Sequence, residues 1–128
     1  MIKEETNNFH KIVINDIKKY IKQNAGNTKI TAKMICARSG YSSAYMRRLF
    51  KKWTGYGLSE YIKREHMVYI ENALKNTSLP ISEIAASCGY LSLSELTKRF
   101  KLRHGMPPSQ YRIRHIQNIA KRTGKPLK

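Results

Sequence analysis

The chain has 128 residues, with 25 Lys and Arg against 8 Asp and Glu, a formal net charge of +17 and a sequence pI near 10.1. That length holds one domain or two very small ones, and so large an excess of cations is the electrostatic footprint of a polyanion binder. No apolar run approaches the length of about 18 residues that a membrane span requires, and Met1-Ile-Lys-Glu-Glu5 has no signal-peptide core, so a cytoplasmic protein without a membrane anchor is expected.

In chain order, Phe9, Val13, Ile17 and Tyr20, with Ile14 and Ile21 beside them, make a helical stripe from about Phe9 to Gln23, backed by Lys11, Lys18, Lys19 and Lys22. Asn24, Gly26 and Asn27 end it, since both residue types tolerate the left-handed conformation that terminates helices. Thr31 is the predicted cap of a short helix through Met34, Ile35 and Arg38 that stops at Gly40. Ser42 caps the next helix, which runs to about Trp53. Its spacing turns Tyr45 or Met46, Leu49 and Phe50 inward and leaves Ser43, Ala44, Arg47, Arg48, Lys51 and Lys52 outward.

Gly55-Tyr56-Gly57 precedes a longer helix from Leu58 to about Leu74, with Tyr61, Ile62, Val68, Tyr69, Ala73 and Leu74 as its apolar contribution. At 1.5 Å per residue such a helix spans roughly 25 Å, enough to hold the segments on either side of it at a fixed distance. Asn76 to Pro80 is a stop signal, and Pro80 suits the first turn of the helix that follows. That helix presents Ile81, Ile84, Ala85 and Cys88 and breaks at Gly89. Ser92 opens another, and Glu95 three residues on completes a capping box. Leu96, Phe100 and the stem of Arg99 are expected inward, with Leu93, Ser94, Thr97, Lys98 and Lys101 outward. After Tyr111 a last helix continues to about Ala120, and residues 121–128 read as a frayed basic tail.

The two short-helix pairs are copies of one unit. Ile35/Ile84, Ala37/Ala86, Gly40/Gly89 and Tyr41/Tyr90 match at an offset of 49 (89−40), and Ser42/Ser92, Phe50/Phe100, Lys51/Lys101, Gly55/Gly105, Ser59/Ser109, Tyr61/Tyr111 and Arg64/Arg114 at 50 (100−50). The one-residue change falls in the turn between Tyr90 and Ser92, where an insertion disturbs least. Each copy is a helix-turn-helix, with glycine at the turn because a positive φ there costs any other residue about 1 kcal/mol or more. The predicted fold is all-α, about seven helices in two helix-turn-helix subdomains, 9–57 and 76–120, joined by a connecting helix at 58–75.

Ser39-Gly-Tyr-Ser42, Leu49-Phe-Lys-Lys52 and Gly55, then Ile84-Ala85, Cys88-Gly-Tyr90, Phe100-Lys101, Gly105, Pro107-Pro108 and Tyr111-Arg112 resemble the DNA-binding domain of AraC/XylS-type transcription regulators, most of all the small members of the MarA, SoxS and Rob kind. The resemblance covers roughly residues 9 to 116. It implies an activator that binds double-stranded DNA and recruits RNA polymerase, with a regulon of the stress-response or multidrug-resistance kind. It maps base-contacting positions onto Ala44, Arg47 and Arg48 and onto Leu93, Ser94, Thr97 and Lys98; Ser42, Ser43, Lys51, Lys52, Ser92, Lys101 and Arg112 complete the candidate surface. The small relatives commonly carry a large aromatic where this chain has Ala44 and glutamines where it has Leu93 and Ser94. Alanine and leucine can touch a thymine methyl but cannot hydrogen-bond a base edge, so a different preferred site is expected.

Independently of the resemblance, Arg47 and Arg48 each offer the two-pronged contact to guanine O6 and N7. From Thr97 to Arg114 six cations occur with no acid, whereas between Glu65 and Glu95 only Lys75 is basic. Cys36 and Cys88 are expected as small buried thiols rather than a redox pair. His10, His66, His104 and His115 show no metal-ligand spacing with them, so neither a metal nor a cofactor is expected. An enzyme is disfavoured by the lack of a glycine-rich phosphate loop, paired carboxylates or a Cys/His dyad, and an RNA-binding sheet by the lack of strand patterning. A nonspecific architectural DNA coat would need only charge, and leaves the paired caps and short polar outward residues unexplained. With both readers on one chain, a monomer is expected, without an effector or dimerisation domain ahead of the first helix.

Overall fold

The computed structural model describes residues 3–26 and 30–124. Among them the chain is all-α, as the periodicity predicts, with seven helices: α1 (Lys3–Gln23), α2 (Ala32–Ser39), α3 (Ser43–Thr54), α4 (Leu58–Asn76), α5 (Ile81–Ser87), α6 (Leu93–His104) and α7 (Pro108–Thr123). Two boundaries differ from the sequence reading. α1 starts at Lys3 rather than near Phe9, and Phe9 is 53% exposed, so the apolar stripe that holds α1 begins a turn later, at Val13 and Ile14. α7 opens at Pro108 and continues through Lys121 and Arg122 to a left-handed Gly124, so the first residues assigned to a tail are helical; residues 125–128 lie outside the described set.

The chain divides into two compact units, Met1–His66 and Met67–Lys128. In the first, Ile14, Ile17 and Ile21 from α1, Ile35 and Cys36 from α2, and Met46, Leu49 and Phe50 from α3 pack with Leu58, Tyr61 and Ile62 from the first half of α4. In the second, Met67, Ile70, Ala73 and Leu74 from the rest of α4 pack with Ile84, Ala85, Cys88, Leu96 and Phe100. α4 therefore ends one core and begins the next. Its buried set includes Met67, Ile70 and His66, which the sequence reading passed over, while Val68, expected inward, is 40% exposed.

The position of α4 in the second core repeats that of α1 in the first. Ile14, Ile17 and Ile21 correspond to Met67, Ile70 and Leu74 at an offset of 53 (67−14), and both helices close alike, with Asn24 N–H on the Tyr20 carbonyl and Thr77 N–H on the Ala73 carbonyl. The far ends of the units match as well. Phe50 meets the Tyr61 ring edge-on at 5.2 Å and 73°, and Phe100 meets Tyr111 at 5.2 Å and 77°. Such edge-to-face pairs place the positive ring edge on a negative face and fix the angle at which the following helix leaves.

The units differ in what supplements the apolar core. In the second, Glu71 on α4 accepts from Arg103 Nε at 2.8 Å and pairs with His104 Nε2 at 2.7 Å, which ties the end of α6 to α4. His104 also stacks on Phe100 at 4.3 Å. The aligned residues of the first unit, Trp53 and Thr54, form no such clamp; there Thr54 Oγ1 donates to the Phe50 carbonyl at 2.8 Å and closes the helix locally.

Candidate nucleic-acid interface

Each candidate reading helix is set by a serine at its start and a glycine on either side. Ser42 Oγ accepts from Tyr45 N–H at 3.2 Å and Ser92 Oγ from Glu95 N–H at 3.1 Å. The capping box of α6 is slightly displaced: Glu95 Oε2 accepts from Leu91 N–H at 3.4 Å, one residue before the cap. Leu91 is the extra residue of the second copy, so the insertion moves the free N–H that the glutamate satisfies. The turns are made at Gly40 (φ 79°) and Gly89 (φ 83°), in the left-handed region that a side chain disfavours.

With Met46, Leu49 and Phe50 locked inward, α3 leaves Ser43, Ala44, Arg47, Arg48, Lys51 and Lys52 exposed. Arg47 is loosely oriented, Nε donating to Ser43 Oγ at 3.3 Å and Nη1 to Ser59 Oγ at 3.5 Å. The Arg48 guanidinium lies 6.0 Å from the Tyr45 ring. Neither arginine has an acidic partner among the described residues, so both guanidinium forks are available to an incoming acceptor. Tyr45 itself reaches back to α1, its hydroxyl 3.1 Å from His10 Nε2, which braces the first turn of α3.

Leu96 and Phe100 anchor α6 and leave Leu93, Ser94, Lys98 and Lys101 exposed, with Thr97 half-buried beside them. Arg99, whose stem was expected inward, is exposed and meets Glu95 at 3.9 Å, a surface pair one turn apart of small energetic weight. Ser42 and Ser92, both exposed, hold the caps at the entrances of the two helices.

Arg112 has a different environment from these exposed side chains. It is half-buried, and its Nε donates to the Leu74 carbonyl at 3.1 Å, closing the last turn of α4, while Nη2 is buried without a hydrogen-bond partner. The repeat carries the signal for this role: Arg112 aligns with Ile62, a core residue of the first unit, at an offset of 50 (112−62). Glu71, Arg103 and His104 were also passed over, because their pairing joins residues more than 30 positions apart.

The buried titratable groups belong to the scaffold. Burial lowers the pKa of His66 and pushes the Cys88 thiol up to about 11. Burial, with the Glu65 carboxylate adding to it, raises Tyr61; burial also raises Tyr90 against the opposing pull of Arg99. Neither Cys36 nor Cys88 forms a disulfide, and both are buried. Among the described residues there is no His, Cys, Asp and Glu cluster able to hold a metal and no helix long and apolar enough to cross a membrane.

Two helix-turn-helix units, each turning a capped, cation-bearing helix outward, define a class: the helix-turn-helix DNA-binding proteins. Residues 35–114 match the family model of a helix-turn-helix domain. The chain is 34% identical over 110 residues to the multiple antibiotic resistance protein MarA of Escherichia coli, covering 86% of each chain. It is 29% identical over 105 residues to the regulatory protein SoxS of Escherichia coli, covering 82% of this chain and 97% of SoxS. The fold superposes with a TM-score of 0.74 on the DNA-binding domain of AdpA, solved in complex with a target DNA, over 82% of this chain and 94% of that one at 18% identity. The chain belongs to the AraC/XylS family of DNA-binding transcription regulators.

Proposed function

We propose that the protein is a sequence-specific transcription activator that binds one asymmetric DNA site as a monomer in the cytoplasm, laying α3 and α6 in successive major grooves. The observation that carries this reading is the difference between two helices of one design. Both are capped by serine and anchored by an apolar pair one turn apart, yet their outward residues are unlike at nearly every position: Ser43 against Leu93, Ala44 against Ser94, Arg47 against Thr97, Arg48 against Lys98. A nonspecific coat has no use for such differences, since phosphates are the same along the duplex. Arg47 and Arg48 are assigned to guanine edges, Leu93, Ser94, Thr97 and Lys98 to the second element, and Lys51, Lys52 and Lys101 to phosphates. Ser42, Ser43, Ser92 and Ala44 line the entrances of the two helices, and Arg112 is assigned to the scaffold.

RNA polymerase as a partner, and genes of stress response or drug resistance as targets, rest on the likeness to MarA and SoxS. The test is selection from random duplex DNA with the purified chain, followed by competition against excess random DNA. A regulator enriches a single asymmetric sequence and keeps it under competition. Recovery of no sequence, or loss of the selected one to random competitor, overturns the proposal in favour of an architectural DNA-binding protein.

A further inference from the structure

The first unit contains a cleft that the DNA-binding surface does not use. It has a volume of about 390 Å³ and opens between α1 and α2, on residues of those two helices alone. Its floor is apolar: Val13, Ile17 and Ile35, the last two buried in the core. Its rim carries Asp16, Lys19 and Arg38, all exposed, with Tyr20 beside them. The Arg38 guanidinium carbon lies over the Tyr20 ring, 4.0 Å from its centroid, a cation–π contact that restrains the cation beside the cleft. None of the three rim charges is ion-paired among the described residues, although Asp16 and Lys19 stand one turn apart on α1.

We propose that this cleft binds a small organic monocarboxylate with an aromatic or branched apolar body, of the size of a naphthoic or phenylalkanoic acid. The volume falls in the range of small-molecule sites, and the lining is about half apolar and half polar, which suits a ligand with one apolar body and one charged group. An apolar body on Val13, Ile17 and Ile35 leaves the carboxylate at the rim, where the Arg38 guanidinium can supply the two parallel N–H donors that carboxylates accept best. Lys19 adds a second cation. A bare phosphate would use the cations and leave the floor in water, and an organic cation would meet a rim of net charge +1. Asp16 opposes a second negative group and restricts the ligand to one carboxylate. Because α1 and α2 both rest on α3, the ligand fills the space between two supports of the first reader.

The test uses 1-naphthoate, titrated into the full chain and followed by amide shifts in 15N–1H spectra. Saturable shifts centred on residues 13–23 and 35–39 are expected. Arg38→Gln should weaken binding about tenfold or more, the usual weight of a charge-assisted contact. Arg64→Gln removes the same charge from another exposed guanidinium stacked on a tyrosine, Tyr56 at 4.5 Å, but away from the cleft, and should change binding less than about twofold. Asp16→Asn should tighten it. Because all three side chains are exposed, unchanged melting curves will show that the variants fold. Equal losses in Arg38→Gln and Arg64→Gln, shifts spread over α3 and α6, or an unsaturated titration would each overturn the proposal, since each reduces the binding to attraction by the overall charge.

Discussion

Arg47 and Arg48 are neighbours on α3 with different restraints, one resting on two serine hydroxyls and the other near a tyrosine ring. If they read bases, alanine at either should cost about 1–3 kcal/mol of specific binding and relax preference at one position of the site. Lys101→Ala should instead weaken all sequences alike and reduce the salt slope by about one unit. Both comparisons are made by titration on selected and random duplexes at several salt concentrations. Equal losses on the two duplexes for both arginines would remove the base-contact assignment. Two buried residues give predictions of another sort. His66 is held neutral by burial, so its folded pKa lies below the ordinary value of about 6.5. Its contribution to stability is full above that value and is lost as pH falls, because the unfolded chain takes up the proton first. Denaturant melts should therefore show a steeper loss of stability from neutral to mildly acid pH in the wild type than in His66→Leu. With the Cys88 thiol pushed up to about 11, thiolate at pH 8 is about one part in a thousand, so Cys88 should react with a thiol reagent only as fast as the unit opens.

The short helices were the most legible elements. Thr31, Ser42 and Ser92 all cap as the sequence predicts, and the glycines that end their turns take the left-handed conformation. These signals are local, so one stretch of chain contains the whole argument. Ser42→Ala and Ser92→Ala should each lower stability by about 1 kcal/mol, measured by thermal melting, because each leaves a helix N–H without its acceptor. The long helices were less legible. α4 gives its first half to one core and its second half to the other, so its apolar residues do not form one continuous pattern and Met67 and Ile70 escaped notice. The candidate surface was legible where outward residues follow from helical period, as on α3 and α6. At Arg112 the contact with the Leu74 carbonyl, 38 residues away, was not legible. A guanidinium in a basic segment reads as a phosphate ligand unless the long-range contact is known.

For the whole molecule, the proposed reading by two unlike helices of one chain makes a definite demand on the DNA. Proteins that dimerise to supply two readers bind palindromes, because the protein has two-fold symmetry. Readers related by duplication in head-to-tail order call for a directional site, with two elements roughly 34 Å apart and flanking DNA that bends where the reach is imperfect. Insertion of about five base pairs between the elements turns one to the opposite face and should abolish specific affinity. Sedimentation of the complex should give one chain per site. Two chains on a minimal palindrome, or indifference to the insertion, would reject monomeric two-groove binding.

The double service of α4 bears on how such a protein could arise and be recombined. If each unit is counted with its first and last helices, the copies have four helices apiece, yet the described chain has seven, because 4 + 4 − 1 = 7. The duplicated blocks overlap in one helix instead of following one another. A graft that exchanges the second reader for a foreign one therefore has no clean seam: ahead of Leu58 it strips Leu58, Tyr61 and Ile62 from the first core, and after Asn76 it brings a new unit to the old Met67, Ile70 and Leu74. Hybrids should fold only when α4 is inherited as a mosaic, its first half from one parent and its second half from the other, with the splice at His66 and Met67.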